Sequence, residues 1–422
     1  MKEFHEPMLY LSSPEHPNTM SMVVELAEPV DGDILREVAD ELRTRFPYFY
    51  IRAVARDNDI HAEENPFPMT VRDTWAPIDF NAQESNYHLA AWKYEGKRMA
   101  FEVSHSLTDG SGTFPYIKSA LYLYLTHTTG EALDPAGIRL PGETIPESEV
   151  GNPFADMDDD ISAAEMPEQA KQTAEDFYRL RDGENADSLS LGSQVHCLKL
   201  SESQVMRCCK EHGGSPNALI AVLLARAVRR YDPESERTVS VSIAIDHKAM
   251  LGVHDNYRLF ANVVEVDFPT DMPLDCLTDS CSFARGQIKS QARPENSLWA
   301  LRGRKMLYAK LDQVPLETKI AAMAKASGNA RWSFSNSYLN LQTMGSLDSY
   351  VEALYLVAEP GVADICIGMV CVNHSFFLAM NESFPVDRYM DAFLEELACV
   401  GIDPEVTRVE PLRLCGMEPF KA

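Results

Sequence analysis

Positive charge is what this chain has least of. It carries 38 Lys and Arg against 64 Asp and Glu, a formal net charge of −26 over 422 residues. A nucleic-acid binder needs a positive field to displace counterions from phosphates, so that role is disfavoured, and adsorption to anionic lipid is disfavoured with it. Long hydrophobic runs are missing too. No stretch of about 18 consecutive apolar residues exists, so no membrane span is expected. The N-terminal stretch MKEFHEPMLYLSSPEHPN holds acids and prolines instead of an apolar core run, which argues against a signal peptide. Nine cysteines are present, odd in number and scattered, without a C-x-x-C pair. Neither a metal site nor a thioredoxin-like motif is therefore expected; reduced, mostly buried thiols in a cytoplasmic protein are. No G-x-G-x-x-G or Walker A run exists for nucleotide phosphates, and no G-x-S-x-G for a hydrolase elbow.

What is present is globular. Apolar residues make up 45% and charged residues 24%, and the length points to two domains. Residues 20–27 read as a strand. Asp31 then caps a helix whose Ile34, Leu35, Val38 and Leu42 form one apolar stripe. A strand is expected over 48–55, then a hairpin of 87–94 and 97–104 about Glu95-Gly96. From 129 to 190 the character changes. Prolines recur, and Asp156 to Asp160 is almost all acid, as in a crossover or mobile linker, with a short helix over 165–180. Past it come a strand over 194–200, a capping box from Ser201 to Gln204, and a helix over 216–230. Strands follow over 238–245 and 260–268, helices over 275–292 and 296–312, and strands over 330–336, 351–358, 362–372 and 375–381. A helix over 387–400 closes the series. Two α+β halves with similar element order emerge. The division is 1–185, with 129–185 as the crossover, and 186–422.

The stretch 97–118, KRMAFEVSHSLTDGSGTFPYIK, organises the first half. Met99, Phe101 and Val103 alternate with Arg98, Ala100 and Glu102 as in a half-buried strand. The pattern stops at Ser104-His105, turn residues follow, and Phe114, Ile117 and Leu121 begin a helical stripe. A histidine thus stands where a strand runs out, a usual place for a reactive group. An imidazole titrates near neutral pH and takes a proton at small cost.

His105 to Gly110 reads HSLTDG and resembles the HxxxDG motif of the CoA-dependent acyltransferase superfamily. That superfamily includes chloramphenicol acetyltransferase, alcohol acetyltransferases, polyketide-associated acyltransferases and condensation domains. The block LKLSESQVMRCCKEHGGSPNALIAVLLARAVRRY resembles the opening of the superfamily's C-terminal half, and FANVVEVDF its G-x-F-x-N strand through Asn262. Ser104 stands where condensation domains usually carry a first histidine, which points toward the acyltransferase branches. The plant-type DFGWG motif is absent.

The resemblance implies an α/β fold, an α+β sandwich of two chloramphenicol-acetyltransferase-like halves forming a pseudo-dimer about a central tunnel. It makes His105 the general base for moving a short acyl group from acyl-CoA, as co-substrate, to a hydroxyl or amine of a small molecule, with no acyl-enzyme. It also implies that Asp109 shapes the loop by pairing with a basic residue of the second half. The matching strand end, IAIDHK, offers Lys248, and Arg258 is a rival. Asp109 orienting His105 directly, as a triad acid does, is the other reading. Gly110 suits a positive φ or a close approach, and its N–H is a donor candidate. The SFSNSYLN segment resembles the Ser-x-Ser-Asn-x-Gly loop of alcohol acetyltransferases, with Tyr338 and Leu339 where glycine is expected. Ser335 and Asn336 are thus candidates for the oxyanion. A polyanionic donor also calls for a local basic cluster, either Arg302, Arg304 and Lys305 or Arg229 and Arg230. His374 reads as structural and His247 as a lesser candidate for the tunnel. A monomer is expected. Two alternatives stand beside this reading: a free-standing condensation-type enzyme using carrier-protein thioesters, and a catalytically silent relative acting as a binding or scaffold protein.

Overall fold

The computed structural model of the chain describes residues 7–12, 16–152, 176–182, 189–248, 252–327, 332–418 and 420. Its strands are β1 (Thr19–Leu26), β2 (Ile51–Arg56), β3 (Asp59–Glu64), β4 (Val71–Asp73), β5 (Asp79–Phe80), β6 (Ala90–Glu95), β7 (Arg98–Ser104), β8 (Gln194–Ser201), β9 (Val239–Asp246), β10 (Ala261–Phe268), β11 (Phe334–Gln342), β12 (Val351–Ala358), β13 (Ile365–Val372), β14 (Ser375–Glu382), β15 (Glu405–Pro411) and β16 (Gly416–Met417). Its helices are α1 (Gly32–Leu42), α2 (Gly110–Thr129), α3 (Glu147–Val150), α4 (Glu202–Glu211), α5 (Pro216–Tyr231), α6 (Leu277–Gln291), α7 (Pro294–Leu311), α8 (Leu316–Ser327) and α9 (Asp387–Cys399).

The architecture is mixed α/β around two large sheets. One runs β12-β1-β7-β6-β4 and the other β10-β9-β11-β13-β14-β8-β15. Each carries its own hydrophobic core. Helix α1 forms because Asp31 accepts from the Asp33 and Ile34 N–H groups and Leu35, Val38 and Leu42 share its buried face. Helix α5 is the spine of the second half. Ser215 caps it, accepting from the Ala218 N–H, and its residues from Ala218 to Ala225 are all buried.

Several elements differ from the sequence reading. Pro47 opens a 3₁₀ turn through Phe49, so the strand expected over 48–55 starts at Ile51. Strand β7 is buried on both faces. Glu102 on its polar face is held by Lys93 Nζ at 2.7 Å and accepts from the Cys415 N–H, because the C-terminal segment lies across it. Ser201 stands at the start of α4 but makes no capping bond, and Gln204 reaches out to Asp403. Helix α8 was not anticipated, although Leu316, Ile320 and Met323 carry its spacing. Of the expected crossover, the acid run 156–160 and most of the helix over 165–180 lie outside the described residues. The described part is held firmly. Glu149 is buried, takes both guanidinium nitrogens of Arg45 at 2.7 and 2.8 Å, and meets Arg139 at 2.9 Å.

One exchange positions the site. Strand β12 comes late in the chain yet pairs antiparallel with β1, at the edge of the first sheet. It crosses over β13 at Gly368, where a Cβ would stand 1.8 Å from the Leu356 carbonyl oxygen. The two sheets approach backbone to backbone there because no side chain intervenes.

Candidate active site

The turn after β7 is fixed before any ligand is considered. The His105 N–H donates to the Asn18 carbonyl at 2.8 Å, Leu107 is fully buried, and Thr108 Oγ1 donates to the Tyr257 carbonyl at 2.7 Å. The half-buried His105 ring places Nδ1 2.8 Å from the Thr108 carbonyl oxygen. A carbonyl only accepts, so Nδ1 carries a proton, and in the neutral ring the lone pair is on Nε2. His105 borders a cavity of about 800 Å³.

Asp109 does not serve the imidazole, whose bonded nitrogen faces Thr108. It caps α2, accepting from the Gly112 N–H at 2.8 Å. The same oxygen, Oδ1, accepts from Lys248 Nζ at 2.5 Å, and Oδ2 accepts from the Phe260 N–H at 3.1 Å. Lys248 Nζ also donates to Ser111 Oγ at 2.9 Å, and that hydroxyl lies 2.9 Å from Asp246 Oδ2. Asp109 and Lys248 are 6% and 1% exposed. The network therefore pins the start of α2 to the end of β9 by a desolvated pair.

Gly110 opens α2 outside the left-handed region, so its value is close approach: a Cβ there would stand 2.9 Å from Leu339 Cδ1. Gly112, which sequence reasoning passed over, is tighter. A Cβ would stand 2.1 Å from the Tyr257 carbonyl oxygen and 2.5 Å from Thr108 Oγ1. Gly112→Ala is expected to destabilise the protein by roughly 1–3 kcal/mol through overpacking. Thermal melts should show it, while Gly303→Ala, inside α7 with open space where its Cβ would be, disturbs no packing.

The SFSNSYLN segment is strand, not loop. Its alternation separates the two oxyanion candidates. Ser335 borders the cavity, and its hydroxyl accepts from Ser242 Oγ at 3.1 Å. Asn336 is fully buried on the opposite face, donating to Asn217 Oδ1 of α5 at 2.9 Å. Strand β11 pairs with β9 only from Phe334 to Asn336, opposite Val241 to Ile243. Beyond that the strands part, with β9 continuing against β10 and β11 against β13. Ser337 and Leu339 on one side and Ala244 and Asp246 on the other border the cavity along this opening.

Other candidates scatter. Of the two basic clusters, only Arg304 borders the cavity, and it donates to the Ala261 carbonyl at 2.6 Å. Arg230 pairs with Glu396. His374 is exposed in the β13–β14 turn, where Asn373 and His374 both have positive φ. His247 is buried, and neither ring nitrogen has a hydrogen-bond partner. Burial, helped by the nearby Arg304 charge, lowers its pKa to about 4. The neutral ring is thus preferred in the fold, so stability from this site is full above the unfolded-state value near 6.5 and is lost as pH falls toward 4. His247→Leu is expected to remove up to roughly 3 kcal/mol of that acid sensitivity. Unfolding measured at pH 7 and pH 4.5 for both proteins checks it; equal pH dependence would refute it. Among the described residues, His196, Glu382 and Asp387 could together hold a metal ion. None of them borders the cavity. His196 Nδ1 lies 2.5 Å from Glu382, and Gln194 donates to both carboxylates. All nine cysteines are free. No helix among the described residues is long and apolar enough to cross a membrane.

No family model matches this sequence, and no curated protein sequence does. Solved structures match along nearly the whole chain. The trichothecene 15-O-acetyltransferase TRI3 from Fusarium sporotrichioides is 11% identical with a TM-score of 0.59, over 94% of this chain and 93% of that one. TRI101 of F. sporotrichioides, complexed with coenzyme A and T-2, is 10% identical with a TM-score of 0.54, over 95% and 99%. The starter condensation domain of rhizomide synthetase RzmA, in complex with C8-CoA and Leu-SNAC, is 12% identical with a TM-score of 0.55, over 96% and 93%. The chain has the fold shared by CoA-dependent acetyltransferases and condensation domains.

Proposed function

We propose that this protein is an acyltransferase that moves a short acyl group from acyl-CoA to a hydroxyl or amine of a small molecule. The observation that carries the reading is the His105 ring. Its Nδ1 is engaged by a backbone carbonyl, and its second nitrogen belongs to a residue bordering a large cavity. Nε2 accepts the acceptor's proton as the acceptor oxygen or nitrogen attacks the thioester carbonyl. The tetrahedral intermediate collapses with cleavage of the C–S bond, and the imidazolium returns the proton to the leaving thiolate. The Ser335 hydroxyl and the Gly110 N–H, in the unsatisfied first turn of α2, are the donors proposed for the oxyanion. Asn336 faces away and has no part in this. Asp109 and Lys248 hold the loop. A covalent acyl-enzyme has little support, because the cavity thiol, Cys366, is pushed up to about 12 by desolvation and is not ionised at neutral pH.

One observation favours a second reading. Arg304 is the sole Lys or Arg bordering the cavity among the described residues, a thin match for the phosphates of CoA. A carrier-protein thioester brings the same pantetheine arm without the 3′-phosphoadenosine. Incubation with acetyl-CoA and a panel of alcohols and amines, followed by free-thiol release, tests the first reading. An acetylated carrier protein in its place tests the second. Failure of both, with no binding of either donor, would leave the binding-protein reading.

A further inference from the structure

Strand β10 is an edge of the second sheet, in which it pairs with β9 alone. Side chains cover the backbone groups on its free side, one residue at a time. Gln287 Oε1 accepts from the Asp267 N–H at 3.2 Å, and Gln287 Nε2 donates to the Asp267 carbonyl at 3.1 Å. Gln291 does the same for Glu265, at 3.0 and 2.6 Å. The match is geometric: four residues of α6 and two residues of strand advance by nearly equal lengths, roughly 6 and 7 Å. The next step would bring position 295 over Val263, but α6 ends at Gln291. Period-2 alternation turns the Val263 N–H and carbonyl to this same free side. No hydrogen-bond partner meets them among the described residues, whereas the Ala261 carbonyl beyond takes the Arg304 guanidinium. Val263 is 40% exposed and borders the cavity that His105 borders.

We infer that the Val263 backbone is the recognition point for a carboxamide, or the equivalent edge of a lactam, on the acceptor substrate. The inference rests on the acyltransferase reading above and names the class of its acceptor. One strand residue offers a donor and an acceptor side by side, and a primary carboxamide returns the complementary pair. Gln287 and Gln291 make that pairing twice on this same edge. A carboxylate has no proton for the carbonyl, and an ammonium has no lone pair for the N–H. A trans secondary amide, as in a pantetheine arm, points its N–H and C=O opposite ways and serves one of the two groups at a time. The gap is one residue long, closed by Gln291 on one side and Arg304 on the other. It therefore takes a small ligand and not a strand of another chain. The cavity joins it to His105. An acceptor whose hydroxyl or amine sits on a chain spanning the two is held at both ends.

The test uses acetylpantetheine as donor, since pantetheine is the arm common to CoA and carrier proteins. The acceptors are ω-amino and ω-hydroxy carboxamides of stepped chain length, each beside its carboxylate and its N,N-dimethylamide. Values of kcat/KM and calorimetric binding are measured for the wild type, Val263→Pro and Val263→Ala. The wild type should prefer the best carboxamide over both analogues by roughly 5–100-fold, the worth of two ordinary hydrogen bonds. Proline is tolerated at an edge position whose N–H faces away from the ladder. Val263→Pro thus deletes the donor and should cut the preference by roughly 2–10-fold. Val263→Ala keeps both backbone groups and should retain the preference. In the wild type, the carboxamide and not the dimethylamide should slow exchange of the Val263 amide proton, a readout that needs no variant. Wild-type turnover without a carboxamide preference, or without that protection, would overturn this inference and leave the acyltransferase reading intact. A preference undiminished in Val263→Pro would place the carboxamide elsewhere. An effect of Val263→Pro on the donor alone would give the edge to the pantetheine arm and overturn the assignment to the acceptor. Carboxamide binding without turnover would sink the catalytic reading and keep the site. Absence of both would sink the two together.

Discussion

His105→Ala is expected to lower thiol release from the acyl donor by roughly 10²–10⁴-fold, the usual worth of a positioned general base. Stability should change little. The side chain is half-buried and gives up one hydrogen bond, Nδ1 to the Thr108 carbonyl, which is worth about 1 kcal/mol net. The surrounding turn is held by other contacts, namely the His105 N–H on Asn18, the buried Leu107, and the Thr108 hydroxyl on Tyr257. A large loss of rate with a nearly unchanged melting temperature therefore identifies the imidazole itself as the missing part. Turnover that survives the substitution would end the base assignment, however well the cavity binds donors.

Lys248→Met is expected to act the other way, through stability first. It leaves the Asp109 carboxylate almost fully desolvated with no cation beside Oδ1. Removing one partner of a buried pair costs about 3–5 kcal/mol, because the remaining charge stays in low dielectric. The Gly112 and Phe260 N–H groups still donate to Asp109, so the lower end of that range is the sounder expectation. Lys210→Met, on an exposed position of α4, is the control and should change stability little. Asp109→Asn in the Lys248→Met background removes the stranded charge, so the double variant should lose less than the sum of the two single losses. Additive losses would mean that the pair does not hold the loop. Activity should fall in step with the fraction folded and with the loop's order, and the Asp109 variants should affect stability more than the pH optimum.

Parts of this site were legible before any coordinates. The end of the period-2 pattern at Ser104-His105, the crowd of turn residues and the helical stripe from Phe114 are local signals, and local signals report local structure. The start of α2 was read late, because its apolar stripe begins only at Phe114 whereas the helix opens at Gly110 with Asp109 as its cap. The repeat of strand, helix and strands in each half was likewise readable, but not that β12, from the second half, joins the first sheet beside β1. The boundary at 48–50 was misplaced because a proline turn overrides β-propensity there, and β11 runs past the expected 336 to Gln342.

What stayed hidden depends on residues far apart in the chain. Lys248 and Arg258 are ten positions apart and equally basic in sequence; only the end of β9 lying over the start of α2 decides for Lys248. Ser335 and Asn336 are adjacent, and the parity of β11 sends one to the cavity and the other to α5. Gly112 matters because the Tyr257 backbone passes 2.1 Å from where its Cβ would be. Strand β12 reads like any second-half strand, and its pairing with β1 follows from the antiparallel register, not from its composition. The amino-acid order alone thus determined the strand–turn–helix that presents His105, because backbone propensity and capping act over a few residues. Which charge meets Asp109 and which side chains border the cavity were decided only by the packing of the two sheets, because desolvation and steric exclusion depend on neighbours that the chain brings together from hundreds of residues away.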